Sequence, residues 1–88
     1  MHKQKLFKVE PEGREALFIA ARSNDHAAEI YVAYELSRNR EIPDFSVGRI
    51  DQTIAGERRL GLDDMLSHGV SGIAACDPLF GWRVTEAM

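Results

Sequence analysis

One cysteine, Cys76, is all that 88 residues contain, so no internal disulfide can form and a secreted, disulfide-framed scaffold is excluded. The chain also lacks a basic excess. Eleven Lys and Arg stand against fourteen Asp and Glu, a net charge of -3. A general nucleic-acid binder usually shows the opposite balance, and nucleic acid is disfavoured as a partner. No apolar run approaches the roughly 18 residues that span a bilayer. The polar start Met1-His2-Lys3-Gln4-Lys5 has no apolar core of signal-peptide type. The cytoplasm is therefore the expected compartment, with no membrane partner. Only three histidines occur (His2, His26 and His68), without a recognisable metal-ligand spacing. No glycine-rich phosphate motif of mononucleotide or dinucleotide type is found either. Neither a metal nor a cofactor is expected.

What is present reads as one globular domain over residues 1–88. Hydrophobic residues make up 44% and charged residues 28%, ordinary for a folded protein. A chain of this size buries about 60–65% of the surface exposed on unfolding. Its net stability is then about 4–13 kcal/mol, which leaves little for a strained, desolvated active site.

The alternation Lys5-Leu6-Phe7-Lys8-Val9-Glu10 places Phe7 and Val9 on one face of a strand and Lys8 and Glu10 on the other. Pro11-Glu12-Gly13 is a turn signal, and the apolar stretch Glu15 to Ala21 completes a hairpin. Ser23-Asn24-Asp25 is a helix start, and the apolar set Ala27, Ile30, Tyr31 and Tyr34 recurs at helical spacing up to about Ser37. Ala28, Val32, Ala33 and Leu36 make this helix apolar almost all round, more than one sheet face can cover. Arg38 and Arg40 suit its negative end, and Pro43 prevents its continuation.

Phe45 to Ile50 alternates as a third strand, with Gly48 marking a bulge or close approach. Asp51 to Gly61 lacks a period and reads as loop, and Leu62 to His68 reads as a short helix. Gly72 to Cys76, the turn Asp77-Pro78-Leu79-Phe80-Gly81, and Trp82 to Glu86 form a closing hairpin, with Trp82, Val84 and Glu86 on one side. The order β-β-α-β-α-β-β predicts an α+β fold. Its expected form is a two-layer α/β sandwich, a mixed, mostly antiparallel sheet carrying both helices on one face.

No residues assemble into a recognisable catalytic site. Cys76, Asp77 and His68 raise a nucleophile reading, since a thiol needs a nearby base at neutral pH. A cysteine in an apolar strand more often acts as a small hydrophobe, and Asp77 is explained by the turn. His26 with Glu29 and Glu35 raises a metal or acid–base reading, for which a polar first-turn residue is the simpler account. Asp63 and Asp64 are explained by capping. Arg58 and Arg59, with Arg49 and Arg40, are the one cationic concentration, able to grip a carboxylate or phosphate. Phe80 and Trp82 stand in the closing hairpin as either core or anchor, as Tyr31 and Tyr34 do on the long helix.

The sequence thus favours a non-catalytic protein-interaction module: a small regulator, inhibitor or accessory subunit, of the kind mobile elements and operons encode. Its expected partner is another protein or a second copy of itself. The expected contact surface uses Tyr31, Tyr34, Phe80 and Trp82, with Arg58 and Arg59 at its rim. The alternatives are an anion, ligand or nucleic-acid binding domain using the loop arginines, and a small enzyme working through Cys76 and His68.

Overall fold

The computed structural model describes residues 3–87. Strands β1 (Lys5–Pro11) and β2 (Leu17–Ala21) form the first hairpin, followed by helix α1 (Asn24–Ser37) and strand β3 (Phe45–Arg49). Helix α2 (Leu62–Ser67) and the hairpin of β4 (Gly72–Asp77) and β5 (Gly81–Ala87) complete the chain. The five strands make one open sheet in the order β3-β1-β2-β4-β5, and every neighbouring pair is antiparallel. The expected α+β class and element order are what the structure shows.

The helices, however, are placed differently from the expectation of a single covered face. Successive side chains of a strand point to opposite sides of the sheet. Phe7, Val9, Ile19 and Ala21 pack with Ala27, Ile30 and Tyr31 of α1, and Leu17, Phe45 and Val47 extend that core. Leu6 and Ala20, which alternate with them, pack with Leu62, Met65 and Leu66 of α2 and with Trp82. The two helices therefore cover opposite faces. The reason is that the second face also carries apolar side chains, Leu6 on β1 with Phe18 and Ala20 on β2, and these cannot be left to water.

Local chemistry fixes the elements. Ser23 caps α1, its Oγ accepting the His26 N–H at 3.1 Å. At the other end Asn39 adopts φ 55°. Its N–H donates to the Leu36 carbonyl at 3.0 Å, and the Arg40 N–H donates to that of Glu35 at 3.1 Å. This paired closure turns the chain back over the helix end, where Arg38 and Arg40 emerge.

A bulge between β4 and β5 puts Ile73 opposite Glu86 but Ala74 opposite Val84. The additional residue, Thr85, flips the register. Trp82 and Val84 thus face α2, whereas Glu86 faces α1, where Arg38 Nη2 meets it at 3.1 Å. Glu86 does not share the side of Trp82 and Val84 as the plain alternation predicts. Gly48 makes no bulge: the pairing of β3 with β1 is regular through it, and a Cβ there would meet nothing within 4 Å.

The segment read as loop contains a single 3-10 turn, Gly56–Arg59, and is held by polar bonds. Arg59 Nη1 donates to the carbonyls of Asp51 and Ile54 at 2.6 and 2.8 Å. The same guanidinium grips the Asp63 carboxylate at 2.8 and 3.1 Å. Gly81 lets this segment close on the hairpin. It sits at φ 82°, and a Cβ on it would lie 2.2 Å from the Leu60 carbonyl oxygen, which accepts the Trp82 N–H at 2.9 Å. Gly81→Ala is therefore expected to destabilise the fold by about 2 kcal/mol or more, from the left-handed backbone and the collision together. Urea unfolding followed by Trp82 fluorescence measures this directly.

Candidate functional site

The six residues singled out for a contact surface do not lie on one surface. Tyr31 is fully buried under α1, its ring 4.7 Å from that of Phe45. Tyr34, one turn on, is half-buried, with the Arg38 guanidinium 3.8 Å above its ring. Trp82 is buried on the opposite face, edge-on to Phe18 at 5.2 Å, and its indole N–H donates to the Arg58 carbonyl at 2.6 Å. Arg59 is committed to its clamp, and the exposed Arg58 side chain stands beside the cleft of Lys8, Phe18 and Trp82. Phe80 alone of the four aromatics is an open anchor, 76% exposed, with Leu79 beside it at 80%.

That exposure has a local cause. Asp77 Oδ1 accepts the N–H groups of Leu79 and Phe80 at 2.7 and 3.1 Å, a side chain standing in for backbone in a tight turn. These bonds hold the Asp77 carboxyl below the usual carboxylate range. The tip is thus fixed with its two apolar side chains outward. Behind it, between α2 and β5, runs an open groove of about 470 Å³ lined chiefly by Met65, Val70, Phe80, Trp82, Val84 and Ala87. Among the described residues strand β5 is an edge of the sheet; Leu60 covers its start by accepting the Trp82 N–H, and the stretch beyond Trp82 has no strand partner.

The enzyme residues stand as follows. Cys76 is exposed on β4 rather than packed as a small hydrophobe, because this end of the strand runs on toward the turn at Asp77 and is left uncovered. His68 Nδ1 lies 2.6 Å from the Asp64 carbonyl oxygen, within its own helix turn. Among the described residues no group of three or more His, Cys, Asp or Glu is placed to hold a metal ion, and His2 lies outside them. His26 Nδ1 accepts the Arg22 N–H at 3.2 Å. No helix of the described residues is long and apolar enough to cross a membrane.

A second constellation is assembled by tertiary structure around Glu35. Glu35, 1% exposed, lies at the floor of a cleft between the β1–β2 turn and the end of α1. Tyr31 Oη donates to its Oε2 at 2.7 Å, and Arg14 Nη1 donates to the same oxygen. Arg40 Nη2 stands 2.7 Å from Oε1 as an ion pair, without the alignment of a hydrogen bond. Burial by itself would raise the Glu35 carboxyl. The Tyr31 hydroxyl and the two guanidiniums outweigh it and hold the group below the ordinary value. Burial and the bond to Glu35 push the Tyr31 phenol up. The signal available in sequence was the i,i+4 spacing of Tyr31 and Glu35, which puts a charge on the buried stripe and demands a partner.

No family model, no curated protein and no solved structure matches the chain, so its function is argued from this geometry.

Two outcomes follow for the Glu35 cluster. Tyr31→Phe deletes a buried hydrogen bond to a charged group and is expected to cost about 1.5–3 kcal/mol, read by chemical denaturation. Glu35 and Asp51 both have folded values below their ordinary 4.5 and 3.8. The stability they confer is complete above those ordinary values and lost as pH falls through the lower folded ones. The melting temperature should fall steeply below about pH 4, and the acid limb should be shallower in Glu35→Gln.

Proposed function

We propose that the protein is a non-catalytic interaction module whose binding surface is the β5 edge with the Leu79–Phe80 tip, and that its partner is a second copy of the chain. The single observation that carries this is the tip: two large apolar side chains held outward by Asp77, beside an apolar groove and a strand edge left open beyond Trp82. Exposed apolar surface of this kind marks interaction sites, and an open edge invites strand addition.

Charge and register favour self-pairing. Cross-strand neighbours share a face, so Arg83 (opposite Ala75) and Glu86 (opposite Ile73) both lie on the α1 side of β5 because of the bulge. Arg83 is largely exposed, with Asp77 only at 4.0 Å. In an antiparallel pairing of two β5 strands about a two-fold axis, Arg83 of each copy falls opposite Glu86 of the other. The axis then passes at the bulge, so the irregularity that would obstruct a regular strand is matched by its own symmetry mate. The same operation carries the tip of one copy past Ala87 of the other, toward the far end of its groove.

Sedimentation over a concentration series tests this. A dimer with a dissociation constant on the order of 10 µM is expected. Leu79→Ser with Phe80→Ser should weaken it about 100-fold or more through lost apolar burial. Arg83→Glu should weaken it, and Arg83→Glu combined with Glu86→Arg should restore it. A 9.9 kDa species persisting to about 1 mM would overturn the proposal.

A further inference from the structure

The Glu35 cleft carries an imbalance that the fold does not need. A buried carboxylate is neutralised by one well-placed guanidinium, as Asp51 is by Arg49 through bonds of 2.8 and 3.0 Å. Glu35 has two, Arg14 on one oxygen and Arg40 on the other. Because they touch the two oxygens of one carboxylate, the guanidiniums lie close together, and the group of three keeps a net positive charge. Each guanidinium has five N–H donors, and Glu35 occupies only a small part of them. Both side chains stay partly open, 30% and 43% exposed, and both line the cleft.

Above them is space. The cleft measures about 390 Å³ and is walled by Pro11, Leu17, Tyr31 and Tyr34, with Glu15 also on its lining. That is room for several waters or a small organic molecule. One end offers fixed N–H donors and positive charge; the walls offer ring and aliphatic surface. The arginines are held in place before any ligand arrives, by the Glu35 carboxylate and by backbone closures on either side. Arg14 follows Gly13 at φ 76° in a turn closed by its own N–H on the Pro11 carbonyl at 3.3 Å. Arg40 follows Asn39 in the closure of α1. Preorganisation of this kind lowers the ordering cost of binding. The other paired arginines differ: Arg38, Arg49, Arg59 and Arg83 each face a different carboxylate, of Glu86, Asp51, Asp63 and Asp77.

We propose that this cleft binds a small organic carboxylate, its oxygens taken by Arg14 and Arg40 and its apolar body lying against Leu17 and Tyr34. With Glu15 on the lining the formal charges balance, so it is the flat fork of the two arginines, and not a net charge, that suits a single carboxylate group.

The test is a two-dimensional amide NMR titration of the full chain with benzoate, acetate and inorganic phosphate, each at matched ionic strength. Benzoate should give saturable shifts at the amides of residues 13–17 and 31–40, with a dissociation constant on the order of 1 mM. Acetate, lacking the ring, should bind about tenfold more weakly or worse. Arg14→Gln and Arg40→Gln each leave Glu35 one guanidinium, so the fold should persist, and each should weaken benzoate about tenfold or more. Arg58→Gln, on the other face, should change nothing. Equal, non-saturating drift with all three anions would overturn the proposal. So would benzoate shifts that survive unchanged in both arginine variants, or phosphate binding as tightly as benzoate.

Discussion

The β1–β2 hairpin is buried on both of its faces, and this double burial governs everything laid over it. Val9, Ile19 and Ala21 on one side and Leu6 and Ala20 on the other are all fully buried. Burying a large aliphatic side chain is worth about 1.5–3 kcal/mol, so neither face can be left wet in so small a chain. The fourteen residues of α1 cover one face unaided. The six residues of α2 cannot cover the other, and Ile50, Ile54 and Trp82 complete that side. The segment linking them has little apolar content to hold it down. Its order rests on the Arg59 clamp, on Asp51 accepting the Leu6 N–H at 3.1 Å, and on the Trp82 indole bond to Arg58. A core requirement thus becomes a requirement for polar bonds in the covering loop.

The two buried carboxylates show how differently one problem is solved. Removing a carboxylate from water is expensive, and it is tolerated only with donors at close range. Asp51 meets one arginine and a backbone N–H, which join the end of β3 to the start of β1. Glu35 meets a phenol and two arginines from segments twenty-one residues before it and five after it in the chain. The first arrangement is neutral and closed. The second is open and sets two guanidiniums over a cleft, whereas Arg59 is committed to its own clamp and Arg58 stands exposed.

Much of the fold was legible because local chemistry declares itself. Ser23 as a cap, Asp77 as the first residue of the closing turn, and the apolar stripe of α1 all act where the sequence places them. The faces were less legible. Leu6 is a single apolar residue beside Phe7, and a two-residue alternation treats it as noise; only the Ala20 and Leu66 packed with it show that its side is buried. The bulge at Thr85 was hidden for a similar reason. It depends on the pairing of β4 with β5, which places Gly72, at φ 153°, so close to the Glu86 carbonyl that a Cβ there would lie 2.1 Å from it. The contact surface was read from residue type, and type alone does not separate a buried Trp82 from an exposed Phe80 two positions away. The Glu35 cluster needs Arg14 and Arg40 brought together by tertiary structure, so no spacing in the chain announces it.

The two proposed surfaces, the β5 edge and the cleft at the end of α1, are separate, yet one side chain joins them. Arg38 stacks on Tyr34, a wall of the carboxylate cleft, while its guanidinium bonds Glu86 on β5. If Glu86 is taken by Arg83 of a second copy, Arg38 is released on the side of Tyr34 and adds a third cation near the cleft. Reciprocity then requires that an anion drawing Arg38 toward itself should favour pairing of the β5 edges. The Arg38–Glu86 pair is exposed on both sides, at 37% and 44%, and such pairs are worth about 0–1 kcal/mol. The coupling is therefore bounded at about fivefold. A link of that size biases association without deciding it, so edge pairing and cleft occupancy remain separately adjustable by substitutions at Phe80 and at Arg40.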